Sequence, residues 1–255
     1  LSFIPFIVFI GFFLFGLAHL YLSHPNEDAY IVLKYVENFV AGHGIVYFAG
    51  GPRTEGFVDF LWFLMLSGLV WLGFDVAVAA LFLNAVGAGV TAYIFYVALK
   101  PSLFSPAAKG VLLGLACMMV LTNQAAIASY DGFSTMLYSA MILYLYWLSL
   151  DGSKKSILLI PFISLMVGLI RSDGVVVGVA FCILGGYWAY RTKVLNTYLQ
   201  ISLVCLLLAV FYLFWRYSYF RMLLPLPLYV KMTRGHLEGL KDNIEWLTMA
   251  GGPSP

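Results

Sequence analysis

The chain has 255 residues, of which 62% are apolar and 10% charged, and its mean hydropathy is +0.93. A soluble domain of this length carries about 25% charged residues, so one water-solvated core cannot account for the apolar runs that recur along it. A net charge of +2 with no basic stripe also excludes a nucleic-acid surface.

The first apolar run covers 3–22. It is too long for a signal-peptide core, and it lacks a basic leader and a small-residue cleavage site, so it reads as a membrane span. Next comes Asn26-Glu27-Asp28, with Asn26 placed to cap a helix that runs to about Ala41 and stops at Gly42. Lys34, Glu37, Asn38 and Ala41 recur at helical spacing as a polar stripe, which predicts an amphipathic helix at the membrane interface. Glu27 and Asp28 have two readings: an acidic helix start that suits the helix dipole, or a general base held at the lipid–water boundary. Neighbouring helical residues point in different directions, so the second reading needs only one of the two.

Gly50-Gly51-Pro52 forms a turn, and Arg53 and Glu55 beside it read on their own as solvated loop charges. The apolar stretch 57–74 carries Asp59 near its start and Trp62 and Trp71 within it, as expected of a helix lying in the interface. Further spans are expected at 77–99, 110–128, 134–150, 156–170, 174–190 and 197–219. The runs 156–170 and 174–190 are short for a full crossing and need local thinning or snorkelling. Asp131 in Ser129-Tyr130-Asp131-Gly132, and Arg171-Ser172-Asp173, occupy turns between spans, where a turn-forming acid or a snorkelling Arg is ordinary. His19 lies inside a span end and reads as a packing residue. His43 and His236 have no partners at metal spacing, and Cys117, Cys182 and Cys205 sit in apolar runs as packing residues.

Basic residues settle the expected orientation. Lys100 with Lys109, Lys154 with Lys155, and Arg191 with Lys193 occupy alternate connectors, which the positive-inside rule places in the cytoplasm. The N-terminus is then inside and the C-terminus outside. The loop 23–76, the turns 129–133 and 171–173 and the tail 220–255 all face outward. Every acid except Asp151 lies in these outward segments, with Asp75 at the end of the interfacial stretch, so a site is expected on the outer face.

Four motifs in order extend this reading. The string NEDAYIVLKYVENFVAGHGIVYFAGGPRTEGFVDFLW (26–62) resembles the opening of bacterial polytopic glycosyltransferases like the mycobacterial terminal arabinofuranosyltransferases. SYDGFSTMLYSA (129–140) stands in their SGLETALF slot and is similar to the SYDNE turn of oligosaccharyltransferase catalytic subunits. RSDGVVV (171–177) resembles their RPEGLLL, and YSYFRMLLPLPLYVK (217–231) resembles their YYGDLLPNTYYAK.

This resemblance implies a member of the C-type glycosyltransferase (GT-C) superfamily: an all-α, polytopic transmembrane bundle with interfacial helices in its first outer loop. It implies a bacterial cytoplasmic membrane and an active site on the extracytoplasmic side. The donor would be a polyprenyl-phosphate sugar, with arabinofuranose suggested by the nearest family, and the acceptor a glycan, lipid or protein. The superfamily's base would be Asp28, with Glu27 as the alternative. Lys231 and Arg171 would face the donor phosphate, and Arg53, Glu55, Asp173 and Tyr229 would be further substrate contacts. In the oligosaccharyltransferase branch the acid of the second outer turn binds a divalent metal, which here would be Asp131 with Mg²⁺ or Mn²⁺.

Three departures accompany the likeness. Glu27 replaces the family's first Asp, Leu226-Pro227 replaces its LLPN asparagine, and the family continues into more spans and often an outer domain. The last departure implies either a short member or a chain that continues past Pro255. Two rival classes remain: a lipid or sugar transporter or flippase, and a non-catalytic membrane assembly subunit. Transporters place ionisable groups near the bilayer midplane, where these spans carry Asn84, Asn123 and Gln124 but no charge.

Overall fold

The computed structural model describes residues 3–22, 26–99, 124–222 and 225–227. Among these residues the fold is all-α, with no strand. The helices are α1 (Ile4–Leu22), α2 (Glu27–Val40), α3 (Phe60–Trp71), α4 (Val76–Leu99), α5 (Gln124–Tyr130), α6 (Thr135–Asp151), α7 (Lys154–Ile170), α8 (Gly174–Arg191) and α9 (Leu195–Phe220). Apart from 110–128, the expected spans differ from these helices by no more than two residues at either end. Most of 110–128 lies outside the described residues, and only its last part falls in α5.

Four of the helices, α1, α4, α8 and α9, are long and apolar enough to cross a membrane. The surface of α9 shows why lipid must surround it: Leu203, Leu206, Leu207, Val210, Phe211 and Phe214 are all exposed. A contiguous apolar face of that kind is unstable in water and at rest in hydrocarbon, where a helix keeps its backbone bonds within itself. The α6 and α7 helices have 17 residues each, close to the length expected for 134–150 and 156–170.

Small residues set the close contacts between helices. A Cβ on Gly174 or Gly178 would lie 2.3 Å from the Val167 carbonyl oxygen or 2.8 Å from that of Ser164, so α7 and α8 meet backbone to backbone as an antiparallel hairpin. In α4, Gly87 faces the start of α6, where a Cβ would come 2.7 Å from the Leu137 Cα. The α1 and α4 helices run antiparallel, with Gly16 against Leu81 and Gly89 against the Pro5 carbonyl. These hairpins carry the turns 131–134 and 171–173 to one end of the bundle, together with α2, α3 and the C-terminus of α9. The turns 151–153 and 192–194 lie at the other end.

At the first end α2 begins as its sequence predicts. The Asn26 side chain accepts a hydrogen bond from the Asp28 N–H at 3.1 Å, and Gly42 follows the helix with φ of 85°. The polar stripe needs one correction. Lys34 and Glu37 pair on the surface, but Asn38 is buried and donates to the carbonyls of Val46 and Tyr47 at 3.1 and 2.6 Å. It fastens the following loop to the helix. Tyr35 does the same further on, donating to the Thr54 carbonyl at 2.6 Å and accepting from the Gly56 N–H.

The 12 residues of α3 rise about 18 Å, well short of a hydrocarbon core of about 30 Å. This helix lies on the bundle instead, burying Trp62, Phe63 and Leu66 against Val32 and Val36 of α2 and Ala79, Ala80 and Leu83 of α4.

Candidate functional site

Polar side chains gather at this end in three groups. The first surrounds the turn after α5. His19, in the last turn of α1, meets Asp131 with its Nε2 2.8 Å from Oδ1, and the Asp131 carbonyl accepts from the Asn26 N–H at 3.2 Å. The end of α1, the start of α2 and the α5–α6 turn are thereby tied together. Glu27 and Asp28 project from this junction into solvent, and no side chain among the described residues engages either carboxylate.

His19 is therefore more than a packing residue, and Asp131 is already engaged by it. A Mg²⁺ or Mn²⁺ ion needs about six oxygen ligands. Among the described residues no three His, Cys, Asp or Glu side chains converge to hold a metal ion. The described residues around Asp131 do not fit such an ion.

The second group joins three segments of chain. Asp59 precedes α3 but does not cap it; its Oδ2 accepts instead from the Ser134 hydroxyl at 3.0 Å, at the start of α6. Beside it lies the α7–α8 turn, where Arg171 donates through Nε and Nη2 to the Asp173 carboxylate at 3.1 and 3.4 Å. The Arg171 guanidinium also lies over the Tyr138 ring, 5.2 Å from its centroid. Burial pushes the Asp59 carboxyl up to about 6, although the Ser134 hydrogen bond and the charge of Arg171 pull it down.

The third group corrects the reading of Glu55 as a solvated charge. It is 2% exposed and forms an ion pair with Arg216 of α9, itself 6% exposed. Burial raises the Glu55 carboxyl to about 7 while the neighbouring guanidinium draws it the other way. Next to this pair Arg53 lies over the Tyr219 ring at 4.9 Å, and the Tyr219 hydroxyl accepts from the Ile45 N–H at 3.1 Å. The Leu226 N–H donates to the Glu55 carbonyl at 3.0 Å, bringing the chain after α9 onto the same loop.

Arg53, Glu55, Asp131, Arg171 and Asp173 thus share one end of the bundle with Glu27 and Asp28. Lys231 and Tyr229 lie outside the described residues. Asp59, Ser134, His19 and Arg216 were not recognised from the sequence as site residues. Arg216 and His19 did carry a signal, since a basic or polar side chain in an apolar run must find a partner.

An apolar groove of about 400 Å³ opens between α7, α8 and α9, in the part of the bundle that faces lipid. Gly178 and Cys182 line it lower down, and Leu169 and Val175 border the Arg171 turn. At the same end Tyr212 and Leu213 lie about one turn of α9 from Arg216. A hydrocarbon chain in this groove would carry its headgroup to the polar end. No protein-family model, no curated protein and no solved structure matches the chain.

Proposed function

We propose that the protein is a membrane glycosyltransferase that moves a sugar from a polyprenyl-phosphate donor onto a glycan, lipid or protein acceptor on the extracytoplasmic face of a bacterial cytoplasmic membrane. The observation that carries this reading is the Asp28 carboxylate. It is exposed and, among the described residues, unengaged, on a capped helix start, at the end of the bundle where the apolar groove reaches the Arg171 turn. The ordered motifs from 26 to 231 add the family expectation, including arabinofuranose as the sugar.

The chemistry needs little more. A phosphate leaves as an anion, so the leaving group needs positive charge nearby and no proton. Asp28 takes the proton from the acceptor hydroxyl, whose oxygen attacks the anomeric carbon as the bond from that carbon to the phosphate oxygen breaks. The products are the new glycoside, a polyprenyl monophosphate and a protonated Asp28. Attack opposite the leaving group inverts the anomeric centre. Arg171 supplies the cation, and Lys231 is the second residue assigned to that role by the resemblance. The prenyl tail lies in the groove between α7, α8 and α9.

Purified full-length protein incubated with a panel of labelled polyprenyl-phosphate sugars and a mixed acceptor fraction tests this directly. Transfer of one sugar, lost in Asp28→Asn, supports the reading. No transfer from any donor, with the lipid instead moved across reconstituted vesicles, would favour the flippase class.

A further inference from the structure

Arg171 has negative charge on two sides. Asp173 holds it at the surface through two hydrogen bonds, and Asp59 lies close enough for each group to feel the other's charge. The two acids differ in their freedom. The Asp173 side chain is 61% exposed, and such a surface pair is easily released. Asp59 sits behind the turn, with Oδ2 bonded to Ser134 and Oδ1 shut off from solvent with no hydrogen-bond partner among the described residues. Among the described residues, the charged and titratable groups that face it are Arg171 and Asp173 of the turn and Tyr138 of α6.

Among the described residues, with both carboxylates ionised this cluster carries a net negative charge around Arg171. An anion approaching Arg171 can displace Asp173 into water. It cannot displace Asp59, which is fixed between α3 and α6. The remaining way to lift the repulsion is to neutralise Asp59 in place. A buried acid whose second oxygen has no donor to stabilise it as an anion is suited to that.

We propose that Asp59 makes anion binding at Arg171 proton-coupled: a lipid phosphodiester headgroup docks on the guanidinium when the Asp59 carboxyl is neutral and is repelled when it is ionised. The choice of a lipid phosphodiester rests on the glycosyltransferase reading, since a polyprenyl-phosphoryl sugar is one, and on the groove that ends at this turn. Headgroup binding draws protons from solvent onto Asp59 where its carboxyl titrates, and by linkage the anion strengthens proton binding as much as the proton strengthens anion binding. The rise of the Asp59 carboxyl to about 6 brings the switch near neutral pH.

The test uses the full chain in nanodiscs and the methyl ester of a short-chain prenyl phosphate. This probe keeps one fixed charge across the range, so any pH dependence belongs to the protein. Its affinity should weaken about tenfold between pH 5 and pH 8, the size of a one-unit shift in a carboxyl's proton affinity. Asp59→Asn should bind at pH 8 as tightly as the native protein does at pH 5, with a flat profile, and Arg171→Gln should lose binding at every pH. A flat native profile, or a slope that persists in Asp59→Asn, overturns the proposal. Ser134→Ala gives a second arm if Asp59→Asn fails to insert. Losing a hydrogen bond to the ionised acid should move the profile to higher pH, and an unmoved profile overturns the proposal. Inorganic sulfate competing as well as the prenyl probe would overturn the lipid assignment. Sugar transfer is measured separately, so proton-linked binding without transfer would sink the enzyme reading alone, and transfer with pH-independent binding would sink this one alone.

Discussion

Glu55, in the loop before α3, and Arg216, near the end of α9, meet in a buried ion pair that fastens the first long loop to the last described helix. A desolvated charge is tolerated only with its partner, so the two residues depend on each other far more than two surface charges would. Removing one, as in Glu55→Ala or Arg216→Ala, should cost about 3–5 kcal/mol by leaving an uncompensated buried charge. The double change Glu55→Leu with Arg216→Met should recover most of that loss. Unfolding of the four proteins in detergent gives the coupling directly, and additive losses would show that the pair contributes no mutual stabilisation.

The base assignment separates cleanly from a capping role. Asp28→Asn keeps the shape of the helix start but cannot take a proton. If Asp28 is the base, transfer should fall roughly 10²- to 10⁴-fold with insertion and donor binding intact. A helix-start role would instead cost about 1 kcal/mol of stability and leave transfer in place. Glu27→Gln should be the milder change. A dead Glu27→Gln beside an active Asp28→Asn would move the base by one residue.

Orientation can be checked without any substrate. Ala49 and Ser153 are both exposed, at opposite ends of the bundle. A cysteine at Ala49 should react with an impermeant thiol reagent added outside intact cells, and one at Ser153 should react only after permeabilisation. The reverse pattern would put the polar end in the cytoplasm and remove the extracytoplasmic site.

The α7–α8 hairpin should tolerate no side chain at Gly174. A methyl there would meet the Val167 carbonyl oxygen at 2.3 Å, and backbone cannot swing aside as a side chain can. Gly174→Ala should therefore lose about 1–3 kcal/mol in a thermal or denaturant melt. Gly11→Ala is the control, because nothing lies within 4 Å of its added Cβ. Equal effects of the two changes would mean that close packing does not hold the hairpin.

Asp59 should give the fold its own pH dependence. Its carboxyl is raised from 3.8 to about 6, so the folded state binds its proton more tightly than the unfolded chain does. The stability this contributes is complete below the unfolded value and is lost as pH rises through about 6. The loss should be on the order of 3 kcal/mol. Melting in detergent from pH 4 to pH 8 should show the decline, and Asp59→Asn should reduce it. A decline of the same size in the variant would assign it to other groups.

The membrane helices were legible in the amino-acid sequence because lipid imposes a strong local rule. A crossing segment must satisfy its own backbone and present apolar side chains over about 20 residues. Composition alone therefore located α1, α4, α8 and α9 within two residues of their ends. The start and stop of α2 were legible for a similar reason: Asn26 and Gly42 act on backbone groups within a few residues of themselves. The polar partners were a different matter. Helical periodicity assigns a residue to a face but does not say what meets that face, so Asn38 read as surface although the loop it bonds covers it. Glu55 with Arg216, His19 with Asp131 and Asp59 with Ser134 join segments far apart in the chain. Their pairing was decided when close helix packing brought the turns 131–134 and 171–173 to the same end as the first loop. That packing depends on how neighbouring helix surfaces fit at Gly87, Gly174 and Gly178, a property of two surfaces together that neither segment's sequence contains.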